Sequence, residues 1–366
     1  MLTKYDDYPV HQTADPIAYA GTDRNFYDRY WFNGYSRDGS IFFACALGVY
    51  PNLNIMDGAF SVLIDGVQHN LRVSRHLNME RMHTCIGPLG VEVLEPLQKL
   101  RIVVDENEHG ISADLTFTGR VPVEEEPRFT KRQGPRTLYD YTRLTQNGDY
   151  EGWIEVQGTR YELQGMTVRG TRDRSWGVRY IVGMPDPQKV PPHVDPQSFW
   201  LWAPLNFDDS WVLLSDSQDS SGESWNWAAV IGGLGESEAC KMNELSWDLE
   251  FEPGLRHLRH AKAVMKDSAG QNIAIEFDLK QKFYMSGLGY LHPEWGHGMN
   301  KGELAVGYDR LEVDQISTSK PPFYLHVQQF AQVRMSLPDG ATKTGSGVLE
   351  QAILGPHAPT GLKGLY

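Results

Sequence analysis

Cysteine is scarce in this 366-residue chain: Cys45, Cys85 and Cys240 are an odd number with no close spacing. That excludes a disulfide framework and a zinc knuckle. No apolar run approaches the ~20 residues that span a bilayer. Met1–Asp7 (MLTKYDD) lacks the basic-then-apolar pattern of a secretory leader. Positive charge is in deficit as well, with 34 Lys and Arg against 47 Asp and Glu and a formal net charge of -13. Nucleic acid is therefore excluded as the main partner, and so is an anionic membrane surface, because both need clustered cations. No GxGxxG, P-loop or βαβ alternation occurs, and no Ser–His–Asp nucleophile elbow. The expectation is a soluble, cytoplasmic protein without membrane insertion and with no cofactor.

What is present is strand pattern. Ser40–Val49 (SIFFACALGV) is an apolar run short enough for a strand buried on both faces. Ala59–Ile64 and Gln68–Val73 flank Asp65-Gly66, a strong hairpin signal. Ile111–Phe117 alternates, with Ile111, Ala113, Leu115 and Phe117 on one face. Gly119–Pro135, rich in charge and proline, reads as a surface excursion. Met184–Gln197 holds five prolines in fourteen residues and reads as a linker. Strand patterns resume after it, and only His326–Met335 reads as a helix. The fold class is all-β, two tandem antiparallel barrels or sandwiches: 1–183, a linker at 184–197, and 198–366.

Three constellations could carry chemistry. Gly170–Tyr180 (GTRDRSWGVRY), near the midpoint, places one carboxylate, Asp173, among Arg172, Arg174 and Arg179, with Trp176 beside them. On a strand, Asp173 and Ser175 share one face and Arg172, Arg174 and Trp176 the other. The alternative to catalysis is an Asp–Arg network that pins two β-domains together. Gly289–Gly298 (GYLHPEWGHG) gathers His292, Glu294, Trp295 and His297. Pro293 and Gly296 break any helix there, so the spacing differs from a zincin site. A His–carboxylate pair for acid–base work fits better, because His titrates near neutrality. Two alternatives are a rigid loop whose histidines cap backbone carbonyls and a metal set of His292, Glu294 and His297. Third, seven of the ten tryptophans lie in the second half, Trp200 and Trp202 on one strand face. They form core or the wall of an apolar ligand cavity. Tyr141 is a further candidate contact.

The segments Gly170–Arg179 (GTRDRSWGVR) and Asp140–Val156 (DYTRLTQNGDYEGWIEV) resemble the central region of the carotenoid 1,2-hydratase (hydroxyneurosporene synthase)-like superfamily. His292–Gly298 (HPEWGHG) resembles the C-terminal loop of a bacterial branch of it. The resemblance implies a tandem of two lipocalin-like domains, related to fungal Diels–Alderase-type pericyclases that hold substrate between the domains. The hydratases carry Asp-His-x-Trp-Gly at the midpoint; here Asp173 and Trp176 match, and Arg174 stands at the His position. Arginine does not shuttle protons at pH 7, so the acid falls to Asp173, His297 or Glu294.

These readings converge on a cofactor-independent hydratase, dehydratase, isomerase or cyclase for a hydrophobic, isoprenoid or polyketide-like molecule in an interdomain pocket. Asp173 would donate the proton, and His297, supported by Glu294, would activate water or accept a proton. Arg174 or Arg179 would tune Asp173 or hold a polar head group, and Trp176, Trp202, Trp295, His292 and Tyr141 would contact the substrate. The alternative is a lipophilic-ligand binding protein without catalysis.

Overall fold

The structure, a computed structural model, describes residues 4–9, 21–184, 196–235, 239–316 and 324–366. Most of the expected linker lies outside the described residues. The fold is all-β and divides into two compact units, each a curled, barrel-like antiparallel sheet. The first comprises Met1–His193 and Ser286–Glu312, the second Val194–Met285 and Val313–Tyr366. Ser286–Glu312, which sequence order assigns to the C-terminal half, is thus part of the first unit.

The first unit contains β1 (Phe26–Ser36), β2 (Ile41–Tyr50), β3 (Ile55–Ile64), β4 (Val67–His76), β5 (Cys85–Ile86), β6 (Leu89–Glu95), β7 (Lys99–Val104), β8 (Ile111–Gly119), β9 (Glu124–Glu125), β10 (Phe129–Gln133), β11 (Arg136–Val156), β12 (Thr159–Glu162) and β13 (Val168–Arg179). The second contains β14 (Ser198–Phe207), β15 (Ser210–Gln218), β16 (Ser224–Gly233), β17 (Cys240–Lys241), β18 (Glu244–Phe251), β19 (Leu258–Lys266) and β20 (Asn272–Tyr284). The chain then returns β21 (Leu304–Glu312) to the first unit and closes with β22 (His326–Ser336) and β23 (Thr342–Leu354) in the second.

The first sheet runs β21-β4-β3-β2-β1-β13-β11-β8-β7-β6-β5, with β9, β10 and β12 also pairing with β11. β21 joins it because Leu304–Glu312 pairs with Arg75–Val67 along its whole length. At the β3–β4 turn Asp65 and Gly66 both have positive φ, 51° and 77°. That is the type I′ geometry matching strand twist, and the Asp-Gly pair supplies it. The alternation in β8 places Ile111, Ala113, Leu115 and Phe117 in the core beside Phe32, Phe43 and Tyr150. The second sheet runs β17-β16-β15-β14-β23-β22-β20-β19-β18 around its own core, which includes Phe199, Leu201 and Ile275.

Two expectations change. His326–Met335 is strand, not helix: β22 is hydrogen-bonded on both sides, to β20 and β23. Such tertiary pairing overrides weak helix propensity. Gly119–Pro135 contains β9 and β10, and its Glu126 is buried. Charge there serves pairing, because Arg143 donates to both Glu126 oxygens at 2.9 and 2.5 Å. The three cysteines are free thiols. Among the described residues no helix is long and apolar enough to cross a membrane.

Candidate active site

The midpoint motif is β13, held between β1 and β11 near the middle of the first sheet. Its side chains divide by parity as expected. On one face lie Arg172 and Arg174, both almost wholly buried. Arg172 pairs with Asp7 and donates through Nε to Gln146 Oε1 at 2.7 Å. Arg174 pairs with Asp28, and its guanidinium lies 3.8 Å over the Tyr30 ring. These arginines therefore do not surround Asp173. Their carboxylates come from β1 and the N-terminal turn, and Arg174 is committed to Asp28.

Asp173 is on the opposite face, level with Trp31 on β1 and Thr145 on β11. One register step away runs a row across five strands: Asp57, Gly48, Arg29, Ser175 and Arg143. Same-face diagonal neighbours in such a ladder lie ~7–8 Å apart. The negative charge of Asp173 acts on Arg143 and Tyr27. Beyond this row Arg179 lies 5.6 Å from the Tyr27 ring and 5.5 Å from the Tyr141 ring, and Tyr141 stacks on Phe129 at 4.5 Å. Burial pushes the Tyr27 phenol up to about 12 and Tyr141 upward too. The phenols remain protonated donors beside a concentration of arginines.

The second motif packs on this same face, because the segment from Ser286 to β21 belongs to the first unit. His297 Nδ1 meets Arg29 Nη1 at 3.2 Å, and His297 Nε2 meets the Leu288 carbonyl at 3.1 Å. A guanidinium only donates and a carbonyl only accepts. His297 is therefore the neutral tautomer protonated on Nε2, with both nitrogens engaged. Tyr290 packs edge-on against it at 4.6 Å and also lies under Arg29, again at 4.6 Å.

Next in the chain, Gly298 donates its N–H to Asp57 Oδ2 at 2.6 Å. Its φ of +74° is one that side-chain-bearing residues rarely adopt. Asp57 Oδ1 accepts from the Tyr50 hydroxyl at 3.0 Å. Gly48 makes room for that phenol, since a Cβ there would stand 2.7 Å from Tyr50 Cζ. Desolvation raises the partly buried Asp57 carboxyl to about 6, against the pull of Gly298, Arg29 and Tyr50. A cavity of about 10 Å³, lined by Arg29, Asp57, Arg72, Trp295, His297 and Lys301 among others, adjoins it. That is room for about one water molecule.

The other expected residues spread out. His292 Nδ1 accepts the backbone N–H groups of Glu294 and Trp295, each at 3.1 Å, and burial lowers its pKa to about 4. Glu294 is exposed, and its backbone meets His292 rather than His297. Among the described residues no group of three His, Cys, Asp or Glu is placed to hold a metal. Trp295 lines the small cavity, with Lys301 Nζ 4.7 Å over its ring. Trp176 is half-buried on β13, on the Arg174 face. Trp202 is buried in the second unit. Sequence reasoning missed Arg29, Asp57, Tyr50 and Tyr290. The available signal was charge inside an aromatic or apolar strand, the pair Asp28-Arg29 in FYDRYWF and the lone Asp57 in IMDGAF.

This architecture recurs among solved structures. The chain is similar to kievitone hydratase from Nectria haematococca, with TM-score 0.52, 12% identity, and 89% of this chain and 88% of that one covered. It is similar to a protein from Nitrosomonas europaea assigned as AttH, with TM-score 0.50, 11% identity and 94% and 98% covered. It is also similar to CghA in complex with Sch210972, with TM-score 0.51, 7% identity and 90% and 89% covered. At such identities the likeness establishes the fold. A search of curated proteins gives no match. A family profile, by contrast, matches residues 2–363, so the chain belongs to DUF8625, a family of unknown function.

Proposed function

We propose that this chain is an enzyme that adds water to, or removes it from, a C=C bond of a hydrophobic small molecule, using its own side chains for the acid–base chemistry. The observation that carries this is Asp57: a carboxyl raised to about 6, beside Arg29 and against a water-sized cavity. A base poised near the working pH is what general catalysis of water attack needs. The arginines and protonated tyrosines decide the substrate's electronics. They oppose a carbocation and favour charge developing on oxygen. The substrate class is therefore a conjugated carbonyl compound, isoprenoid or polyketide-like, whose enolate oxygen meets this face. Asp173 holds Arg143 and Tyr27 in that field, and His297 positions Arg29. That kievitone hydratase shares the fold is consistent with this reading. Cyclisation or isomerisation is the second reading, favoured by the same donors, which would also polarise a carbonyl without any attack by water.

The test is incubation with a panel of conjugated isoprenoid and polyketide-like enones in oxygen-18 water, followed by mass spectrometry. The expected product has gained one labelled water, and Asp57→Asn should bind the same compounds without forming it. Rearranged product without label supports the second reading. Binding with no conversion of any kind sinks catalysis and leaves a ligand-binding protein.

A further inference from the structure

The core-facing side of the first unit holds a second constellation. Asp7, in the 3-10 turn Lys4–Asp7, is fully buried, and its partner Arg172 lies 165 residues away in sequence and is equally buried. Arg172 donates to both Asp7 oxygens, the second at 3.3 Å, and Asp7 also accepts the backbone N–H of Leu97. The Tyr30 hydroxyl donates to the Asp7 carbonyl. Arg172 keeps an independent anchor in Gln146, whose amide is itself fixed to the carbonyls of Leu97 and Val121 at 2.9 and 2.8 Å. Beside this latch opens a cavity of about 600 Å³ whose walls include Tyr8, Tyr30, Met82, Val91 and Val93. That volume is typical of a small-molecule site.

We infer that this cavity binds a hydrophobic small molecule bearing a carboxylate, and that the ligand's carboxylate replaces Asp7 on Arg172. The geometry is that of ligand recognition: a buried guanidinium fork matches a carboxylate bidentately, and the apolar wall beside it takes the chain. Asp7 supplies the same chemical group from a turn of four residues that makes no strand pairing. A ligand carboxylate exchanges like for like, so Arg172 is never left unpaired. Neither Asp7 nor Arg172 is part of the cavity wall; Tyr8, next to Asp7 in the chain, and Tyr30, which donates to the Asp7 carbonyl, connect the two. Arg101 lines the cavity together with Glu92 and Asp105, and it is held by Asp114 at 2.8 Å through two donors and by Glu92 at 3.3 Å. The site is independent of the Asp57 face and of the reaction proposed there.

Displacement of 11-(dansylamino)undecanoate from the full-length protein by dodecanoate and by dodecanol tests this. Dodecanoate should compete at least tenfold better than dodecanol, as one charge-assisted hydrogen bond implies (roughly tenfold or more). Asp7→Asn should strengthen dodecanoate binding, and Arg172→Gln should abolish the preference for acid over alcohol. Equal competition by acid and alcohol overturns the inference. So does an Asp7→Asn variant that binds no tighter, which would place the carboxylate on Arg101 instead. Should either variant fail to fold, hydrogen exchange on the unaltered protein decides. Residues 4–9 should exchange faster with dodecanoate than with dodecanol, and unchanged exchange rejects the displacement.

Discussion

Arg29 donates to His297 Nδ1 at 3.2 Å, which leaves His297 its only proton on Nε2, given to Leu288. A histidine so engaged positions its neighbour rather than relaying protons. In the water-addition assay, a variant of a positioning residue keeps the enzyme's pH limb, whereas loss of the titrating group deletes it. His297→Gln should therefore lower the rate while retaining a limb near 6, and Asp57→Asn should remove the limb altogether. A limb that vanishes in His297→Gln but survives in Asp57→Asn would return the proton-transfer role to the histidine.

Asp57 also makes a stability prediction whose sign is unusual for a carboxylate. Its folded pKa, about 6, lies above the ordinary 3.8. The folded state thus holds the proton more tightly than the unfolded one. The stabilising effect is complete below the ordinary value and is lost as pH rises through about 6. At neutral pH the ionised carboxylate costs up to about 3 kcal/mol, less whatever solvent reaches this partly exposed group. Asp57→Asn should be more stable than the parent above pH about 6, and the difference should shrink towards pH about 4. Urea denaturation at several pH values measures it, and a variant less stable throughout would contradict the raised pKa.

The Arg174–Asp28 pair makes the opposite case, since neither side chain is exposed. Breaking one partner leaves a buried charge without compensation, at a cost of about 3–5 kcal/mol. Arg174→Met and Asp28→Asn should each lower stability by that order. The double variant should recover much of the loss, because both charges are then gone. A double variant that loses the sum of the two would show that the residues act separately.

The physical reach of each interaction separates what could be read in the sequence from what could not. The β3–β4 hairpin follows from Asp65-Gly66, and the alternation of β8 follows from four apolar residues at period two; both are local. The split of β13 into an Asp173 face and an Arg172–Arg174 face follows from strand parity alone. Partners are not local. Asp7 is 165 residues from Arg172, and Arg29 is 268 from His297. No spacing rule connects them, so the sequence alone pairs the arginines of the motif with the carboxylate beside them in the chain. Strand pairing hides in the same way, since nothing in Leu304–Glu312 names β4 as its neighbour. One Asp in an apolar strand, as Asp57 is, looks like an edge or a turn until its burial is known.

Gly48 offers the narrowest probe of the proposed site, because it touches the chemistry only through another side chain. A Cβ at this position would stand 2.7 Å from Tyr50 Cζ, closer than real contacts allow, and Tyr50 is fully buried. The ring has to move, at a typical overpacking cost of about 1–3 kcal/mol. Its hydroxyl then loses Asp57, one of the groups that hold the carboxyl down. Gly48→Ala should therefore be less stable than the parent, and the pH limb of the reaction should move upward from about 6. Tyr50→Phe separates the two effects: it removes the same hydrogen bond without the clash and should move the limb in the same direction at a smaller cost in stability. A limb that stays in place in both variants would mean that Tyr50 does not tune Asp57.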